Sequence, residues 1–298
     1  MMIATTRNVT LPHEQGSQSV AVINGIVIVG ANGSGKTRLG VWLEKDSPEQ
    51  RLVLRVSAQK SLAFPENIRP MESDKARNLF FGGHENAQPE QYVPEKIRSR
   101  YGNKPATTIQ NDFDVLLVHL FSEQNDVSNK YREDSKLTDI KLVVPSTKLD
   151  KIKTIWEEIL SHRTLMISGG TITVQPNAYN PKYYKASEMS DGERVIFYLI
   201  GQCLSAQENG IIVIDEPELH LHKSIQYTLW NKIERERSDC LFVYLTHDID
   251  FAVSRSGFKK INLENFNGEN WQWSSIQDSE TVPENLALEI RGCKASSN

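Results

Sequence analysis

Apolar and polar positions change period several times along this chain, and each change marks an element. "SVAVINGIVIVG" (19–30) is dense in Val and Ile and ends in glycine. It predicts one buried strand, or two short ones with Asn24-Gly25 as the turn. "TRLGVWLEKD" then carries helix character, and "RLVLRVSAQ" (51–59) alternates before running apolar, as a strand does. From about 60 to 110 the periodicity fades into stretches such as "FFGGHENAQPEQYVP", which predict loops and short helices. Helical stripes return at 111–134 and at 147–162, where Leu149, Ile152, Ile155, Trp156 and Ile159 share one face. "TLMISGGTITVQP" predicts a hairpin turning at Ser168-Gly169-Gly170.

The later half of the chain has a different texture. "GIIVIDEP" (210–217) and "DCLFVYLTHD" (239–248) are continuous apolar runs, the pattern of strands covered on both faces of a parallel sheet. A helix precedes the first ("ERVIFYLIGQ") and another separates the two ("HKSIQYTLWNKIERERS"). A hairpin around Asn267-Gly268 and a short helix at "VPENLALEI" follow. Strands alternating with helices predict an α/β core, and no internal repeat interrupts it.

Composition narrows the class only a little. Of 298 residues, 39% are hydrophobic and 24% charged, with a net charge of −4, so a generally basic nucleic-acid binder is not expected. A local basic groove remains open; "KIRSRYGNK" (96–104) joins Lys96, Arg98, Arg100 and Lys104 to Tyr101 and can face nucleic acid or an acidic partner, or simply solvent. Cys203, Cys240 and Cys293 are scattered and odd in number, which fits a reducing, cytoplasmic setting rather than a disulfide framework. No apolar leader opens the chain and no run approaches the ~18 apolar residues of a spanning helix, so no membrane role is expected.

The chemistry sits at strand ends. "GANGSGKT" (30–37) matches G-x-x-x-x-G-K-[ST] between a predicted strand and a predicted helix. Its glycines let successive N–H groups converge on a phosphate, and the helix N-terminus adds positive potential. Asn32, Gly33, Ser34, Gly35, Lys36, Thr37 and the following Arg38 are the candidate nucleotide contacts, with Lys36 bridging the β- and γ-phosphates and Thr37 on Mg²⁺. "IIVIDEPELHLH" ends a buried strand with Asp215, a candidate Mg²⁺ ligand, and Glu216, a candidate base for the attacking water. His247 in "LTHD" ends the next strand and is placed to touch a γ-phosphate or orient water. His220 and His222 have i, i+2 spacing but no further metal ligands in suitable register. In "SEMSDGER", Ser190 and Glu193 have the S-x-x-E spacing of a capping box.

Taken in order, the phosphate loop, a Gln at a strand end, the Ser-x-Gly-Glu helix start, the Asp-Glu strand end and the His strand end resemble ABC-type ATPases over residues 30–248. The resemblance implies a P-loop NTPase fold with an ABC-type head: a mixed β-sheet flanked by helices, formed by residues 1–59 and 186–298. Residues 60–185 would be an inserted, mainly helical lobe with a small hairpin. It implies ATP and Mg²⁺ as ligands, with Gln59 near the metal and Ser190, Gly192 and Glu193 as a signature that covers the ATP of a second head. A homodimer or higher homo-oligomer follows. The signature departs from the family pattern at Met189, in place of Leu, and at Asp191, in place of the first Gly. "DEPELHLH" resembles the soluble SMC, RecF and OLD-nuclease branch, AAA-type ATPases whose acidic pair is followed by PExHLH, rather than transporters. "WQWSSI…VPENLALEIRG" looks like the segment that leads into a TOPRIM-type nuclease in some anti-phage ATPases; here the nuclease would be a separate effector subunit. The resemblance thus implies an ATP-hydrolysing switch in defence, with Lys36, Glu216 and His247 catalytic, or alternatively an ATP-gated DNA-binding protein of the RecF or SMC kind.

Overall fold

Strand and helix order in the computed structural model, which describes residues 6–179 and 182–276, follows the hydrophobic pattern closely. In chain order the elements are β1 (Arg7–Leu11), β2 (Gln18–Val22), β3 (Gly25–Gly30), α1 (Lys36–Lys45), β4 (Val53–Val56), α2 (Ser73–Gly82), α3 (Tyr92–Tyr101), α4 (Phe113–Lys136), α5 (Lys148–Ile159), β5 (Arg163–Ser168), β6 (Thr171–Pro176), β7 (Tyr184–Lys185), α6 (Asp191–Ser205), β8 (Ile211–Asp215), α7 (Lys223–Glu236), β9 (Leu241–Thr246), α8 (Ile249–Ser254), β10 (Lys259–Phe266) and β11 (Trp271–Ile276). The expected helix at "VPENLALEI" and Cys293 lie outside the described residues. No described helix is long and apolar enough to cross a membrane.

The chain divides into two compact units. The first comprises the described residues of Met1–Ala58, Ala206–Leu219 and Glu234–Asn298. Its six-stranded sheet has the order β11-β10-β3-β9-β8-β4. Every neighbouring pair is parallel except β10 with β11. β3, β8 and β9 are buried along their whole length, which explains their unbroken runs of Val, Ile and Leu. Asn24 does separate two strands, yet they do not pair with each other: β2 pairs antiparallel with β1, while β3 lies between β10 and β9. β1 escaped the hydrophobic pattern because five residues contribute only Val9 and Leu11 to the core. Those two pack with Val20, Val22, Ile26, Ile28, Leu39 and Leu43.

One buried ion pair crosses this unit. Arg55 on β4 reaches Glu44 on α1 at 2.8 Å, with side-chain exposures of 0% and 3%. Two charges removed from water are tolerable only while each neutralises the other.

The second unit comprises Gln59–Ser205 and His220–Ile233. It holds α2 to α6, the hairpin β5–β6 expected at Ser168-Gly169-Gly170, and β7 on the edge of that hairpin. This division differs from the boundaries expected from sequence: 186–205 and 220–233 group with the lobe. The cause is α6, whose face from Val195 to Leu204 is apolar almost throughout and packs on α4 and α5. A polar knot ties the same helices together. Asp112, 1% exposed, accepts from Tyr198 Oη at 2.7 Å, Gln110 Nε2 at 2.7 Å and Gln202 Nε2 at 3.2 Å.

Replacing Glu44 by Ala should destabilise the protein by about 3–5 kcal/mol in chemical denaturation, because it takes the hydrogen-bonded carboxylate away from the buried Arg55 guanidinium. Combining Glu44→Leu with Arg55→Met should recover most of that loss.

Candidate nucleotide site

Parallel strands share a direction, so the carboxyl ends of β3, β9 and β8 face the same edge of the sheet, where open α/β sheets take ligands. Register sets which residues meet there: Val29 is opposite Thr246, and Leu245 is opposite Asp215. The phosphate loop leaves β3 at Gly30 and enters α1 at Lys36, as the sequence predicts. Gly33 and Gly35 have φ of 89° and 94°, a region that favours glycine. A side chain at Gly35 would also strike Phe266, 2.6 Å from the position of its Cβ. The loop is braced from β11, where Trp271 Nε1 donates to the Gly35 carbonyl at 3.2 Å, and Arg38 lies over the Phe266 ring at 5.4 Å.

Charge at this edge is concentrated. Lys36 Nζ donates to the Gly30 and Ala31 carbonyls at 3.0 and 3.2 Å and lies 3.5 Å from Glu216 Oε1. The other oxygen of Glu216, Oε2, is 2.5 Å from His247 Nδ1. Glu216 therefore bridges the lysine of the phosphate loop and the histidine of the next strand. Its backbone has φ of 54°, a strained value for a side chain other than glycine, held by the bond from its amide to the Leu245 carbonyl at 2.8 Å. Glu218, the Glu of "PELHLH" to which the sequence reading gave no role, comes back to the same place: its Oε1 accepts from Thr246 Oγ1 at 2.7 Å and is 3.2 Å from His247 Nδ1. The signal for it was present in "DEPE", where a proline after a strained residue turns the chain back.

Asp215 is different from its neighbours. It is 1% exposed, and its carboxylate has no hydrogen bond of ordinary geometry, the Thr37 hydroxyl acting on it only loosely. Burial raises its pKa, and the Thr37 hydroxyl and the positive charges of Arg55 and Lys36 offset only part of that. A buried carboxylate so poorly supplied with donors is unfavourable by itself and suited to a cation. The buried Ser34 hydroxyl in the phosphate loop is likewise without a partner. Hard oxygen donors from Thr37 and Asp215 fit Mg²⁺, and the loop amides with Ser34 and Lys36 fit phosphate.

The remaining candidates belong to the second unit. Gln59 is exposed, three residues past the end of β4, and its carbonyl accepts from the Gln110 amide at 2.9 Å. Ser190 caps α6, which begins at Asp191, slightly earlier than its sequence suggests. The capping box is complete: Glu193 N donates to Ser190 Oγ at 3.3 Å, and Glu193 Oε2 accepts from Ser190 N at 2.8 Å. Burial pushes the Glu193 carboxyl up, but the Ser190 amide, the Tyr184 hydroxyl and Arg163 outweigh it and leave it below the usual range. Gly192 lies within the first turn, and a Cβ there would meet nothing within 4 Å. Asp191 is turned to solvent and paired with Arg194 at 2.6 Å, so its charge is partly compensated. In the basic stretch, Lys96 is buried and Arg100 binds the Leu79 and Phe80 carbonyls and Asp112, which leaves Arg98 and Lys104 exposed. His222 Nδ1 shares a hydrogen bond with Ser224 at 2.8 Å.

This sheet, phosphate loop and acidic strand end define a mixed α/β P-loop nucleotide-binding protein. Residues 74–254, more than half of the chain, match the family described as "AAA domain, putative AbiEii toxin, Type IV TA system", and the chain belongs to that family. The matched region takes in Ser190, Asp215, Glu216 and His247 but starts after the phosphate loop. No curated protein gives a significant match. Among solved structures, the ADP conformation of an ATP-binding cassette of an ABC transporter is 14% identical, with 98% of each chain covered and a TM-score of 0.46. The Smc head domain with an extended coiled coil, bound to the C-terminal domain of ScpA from Pyrococcus furiosus, is 11% identical, covering 96% of this chain and 99% of that one, with a TM-score of 0.46. At such scores these likenesses carry no functional weight, and the class rests on the chain's own sheet and loop.

Asp215→Asn should raise the thermal stability of the ligand-free protein at neutral pH. A raised folded-state pKa means that stability falls as pH climbs through the window above 3.8, so the gain should vanish towards acid pH. The same substitution should weaken Mg²⁺-dependent ATP binding about ten- to a hundredfold.

Proposed function

We propose that the protein is an ATP-hydrolysing switch in which two copies close over ATP and control a separate effector. The observation that carries this reading is the linked set Lys36–Glu216–His247 beside the buried, poorly satisfied Asp215 carboxylate. In this reading the loop amides and Lys36 hold the β- and γ-phosphates. Bound Mg²⁺, held by Thr37 and Asp215, would supply charge neutralisation at the phosphates, and the family resemblance adds Gln59 as a further ligand. Glu216 orients the attacking water and accepts its proton, and His247 fixes the Glu216 carboxylate through Nδ1.

The capped N-terminus of α6 supports the second half of the proposal. First-turn N–H groups of a helix lack intrahelical partners and attract anions. One phosphate is already served by residues 30–37, so the Ser190, Gly192 and Glu193 end of α6 is assigned to the ATP of a second copy. The family description, which names a toxin of a type IV toxin–antitoxin system, suits a protein that acts on a partner inside a defence or conflict system. A nuclease is our proposed class of effector, from the likeness of "WQWSSI…VPENLALEIRG" to a nuclease-linked segment.

Ser190→Arg tests the pairing. It should leave ATP binding by the single chain largely unchanged, lower helix stability by about 1 kcal/mol through loss of the cap, and reduce hydrolysis about a hundredfold or more. The mass of Glu216→Gln protein with ATP and Mg²⁺ should be that of a dimer or larger, and Ser190→Arg should return it to a monomer. A Ser190→Arg protein that still pairs would overturn this reading.

A further inference from the structure

The side chain of His247 meets two carboxylates through one nitrogen. Nδ1 is 2.5 Å from Glu216 Oε2 and 3.2 Å from Glu218 Oε1, while the imidazole remains 51% exposed. Ionised carboxylates only accept, so a proton must sit on Nδ1, and Nε2 is the nitrogen left for a ligand or water. Glu218 is itself fixed. Its side chain is 11% exposed, and its Oε1 also accepts the Thr246 hydroxyl. The Thr246 Oγ1 in turn accepts the Asp248 amide at 2.9 Å, which ties the carboxylate to the start of α8.

We propose that Glu218 is a positioning residue for ATP hydrolysis: it shares the Nδ1 proton of His247 with Glu216, holds the ring in one orientation, and keeps Glu216 from being drawn wholly into that hydrogen bond. This inference rests on the hydrolytic reading above. With Glu218 absent, Nδ1 has Glu216 as its one carboxylate, and Glu216 Oε2 is bound more tightly to His247 and less available to a water. With Glu218 present, the ring is held between two acceptors whose pull is opposed. The charged and titratable groups facing Glu218 are Glu216 and His247, with Lys36 and Asp215 acting through Glu216, and Asp248 beyond Thr246. Burial pushes the Glu218 carboxyl up to about 7, with Glu216 adding to the rise and the Thr246 hydroxyl opposing it.

Two readouts test the assignment. In the first, kcat and KM for ATP are compared for wild type, Glu218→Gln and Glu218→Asp. Glu218→Gln should lower kcat about ten- to a hundredfold with KM little changed, and Glu218→Asp should restore part of the rate. Equal rates for wild type and Glu218→Gln, or losses in KM and thermal stability that account for the whole effect, would overturn the proposal. The second readout needs no turnover, so it separates this inference from the hydrolytic reading. Proton and nitrogen-15 NMR of histidine-labelled protein should show the His247 proton on Nδ1 in wild type and in Glu218→Gln alike, with the Nδ1–H resonance moved downfield in Glu218→Gln as its bond to Glu216 tightens, and Glu218→Asp close to wild type. A wild-type ring protonated only on Nε2, or an Nδ1–H resonance unmoved in Glu218→Gln, would sink the proposal even if ATP is hydrolysed. An inactive wild type with the expected resonance shift would instead remove the hydrolytic reading and leave Glu218 as the residue that positions His247.

Discussion

Parallel register between β3, β9 and β8 is the constraint on which the candidate site depends. It aligns Val29 with Thr246 and Leu245 with Asp215, so three strand ends deliver the phosphate loop, His247 and the acidic pair to one edge. A one-residue slip would turn each side chain to the opposite face of the sheet. The small residue Gly30, whose Cβ would meet Ser34 Oγ at 2.5 Å, lets the loop fold back over the strand it leaves.

That edge is not a stable arrangement in its own right. Asp215 is buried with no hydrogen bond of ordinary geometry, Ser34 lacks a partner, and Glu216 occupies a strained backbone conformation. Such features persist where the surrounding structure enforces them, and they gather at functional sites. The rest of the first unit supplies the enforcement through the apolar core and the Arg55–Glu44 pair beneath α1. Lys36 and His247 then bring positive charge and a proton to Glu216, whose carboxylate touches both. Binding and chemistry thus draw on groups whose interactions within the protein are incomplete.

Much of this was legible in the sequence because the signals were local. G-x-x-x-x-G-K-T between a strand and a helix located the phosphate loop, and unbroken apolar runs ending in Asp-Glu and Thr-His located the two acidic and histidine strand ends. The capping box at Ser190 and Glu193 is also a spacing of three within one turn, and it is formed as expected. What stayed hidden depends on residues distant in sequence. β1 has too few apolar positions to show a period, and the grouping of α6 with α4 and α5 arises from packing across the lobe. Glu218 stands in "PELHLH", a string that gives it no chemical role; only the pairing of β8 with β9 shows that it faces Thr246 and His247. The burial of Lys96 and the internal bonds of Arg100 are equally invisible in "KIRSRYGNK", which reads as a uniform basic stretch.

Isothermal titration calorimetry of ATP into the purified protein, with and without Mg²⁺, tests the central claim most directly. The account predicts one ATP bound per chain, with affinity strongly dependent on Mg²⁺ and lost in Lys36→Ala. ATP binding that is indifferent both to Mg²⁺ and to Lys36→Ala would contradict it.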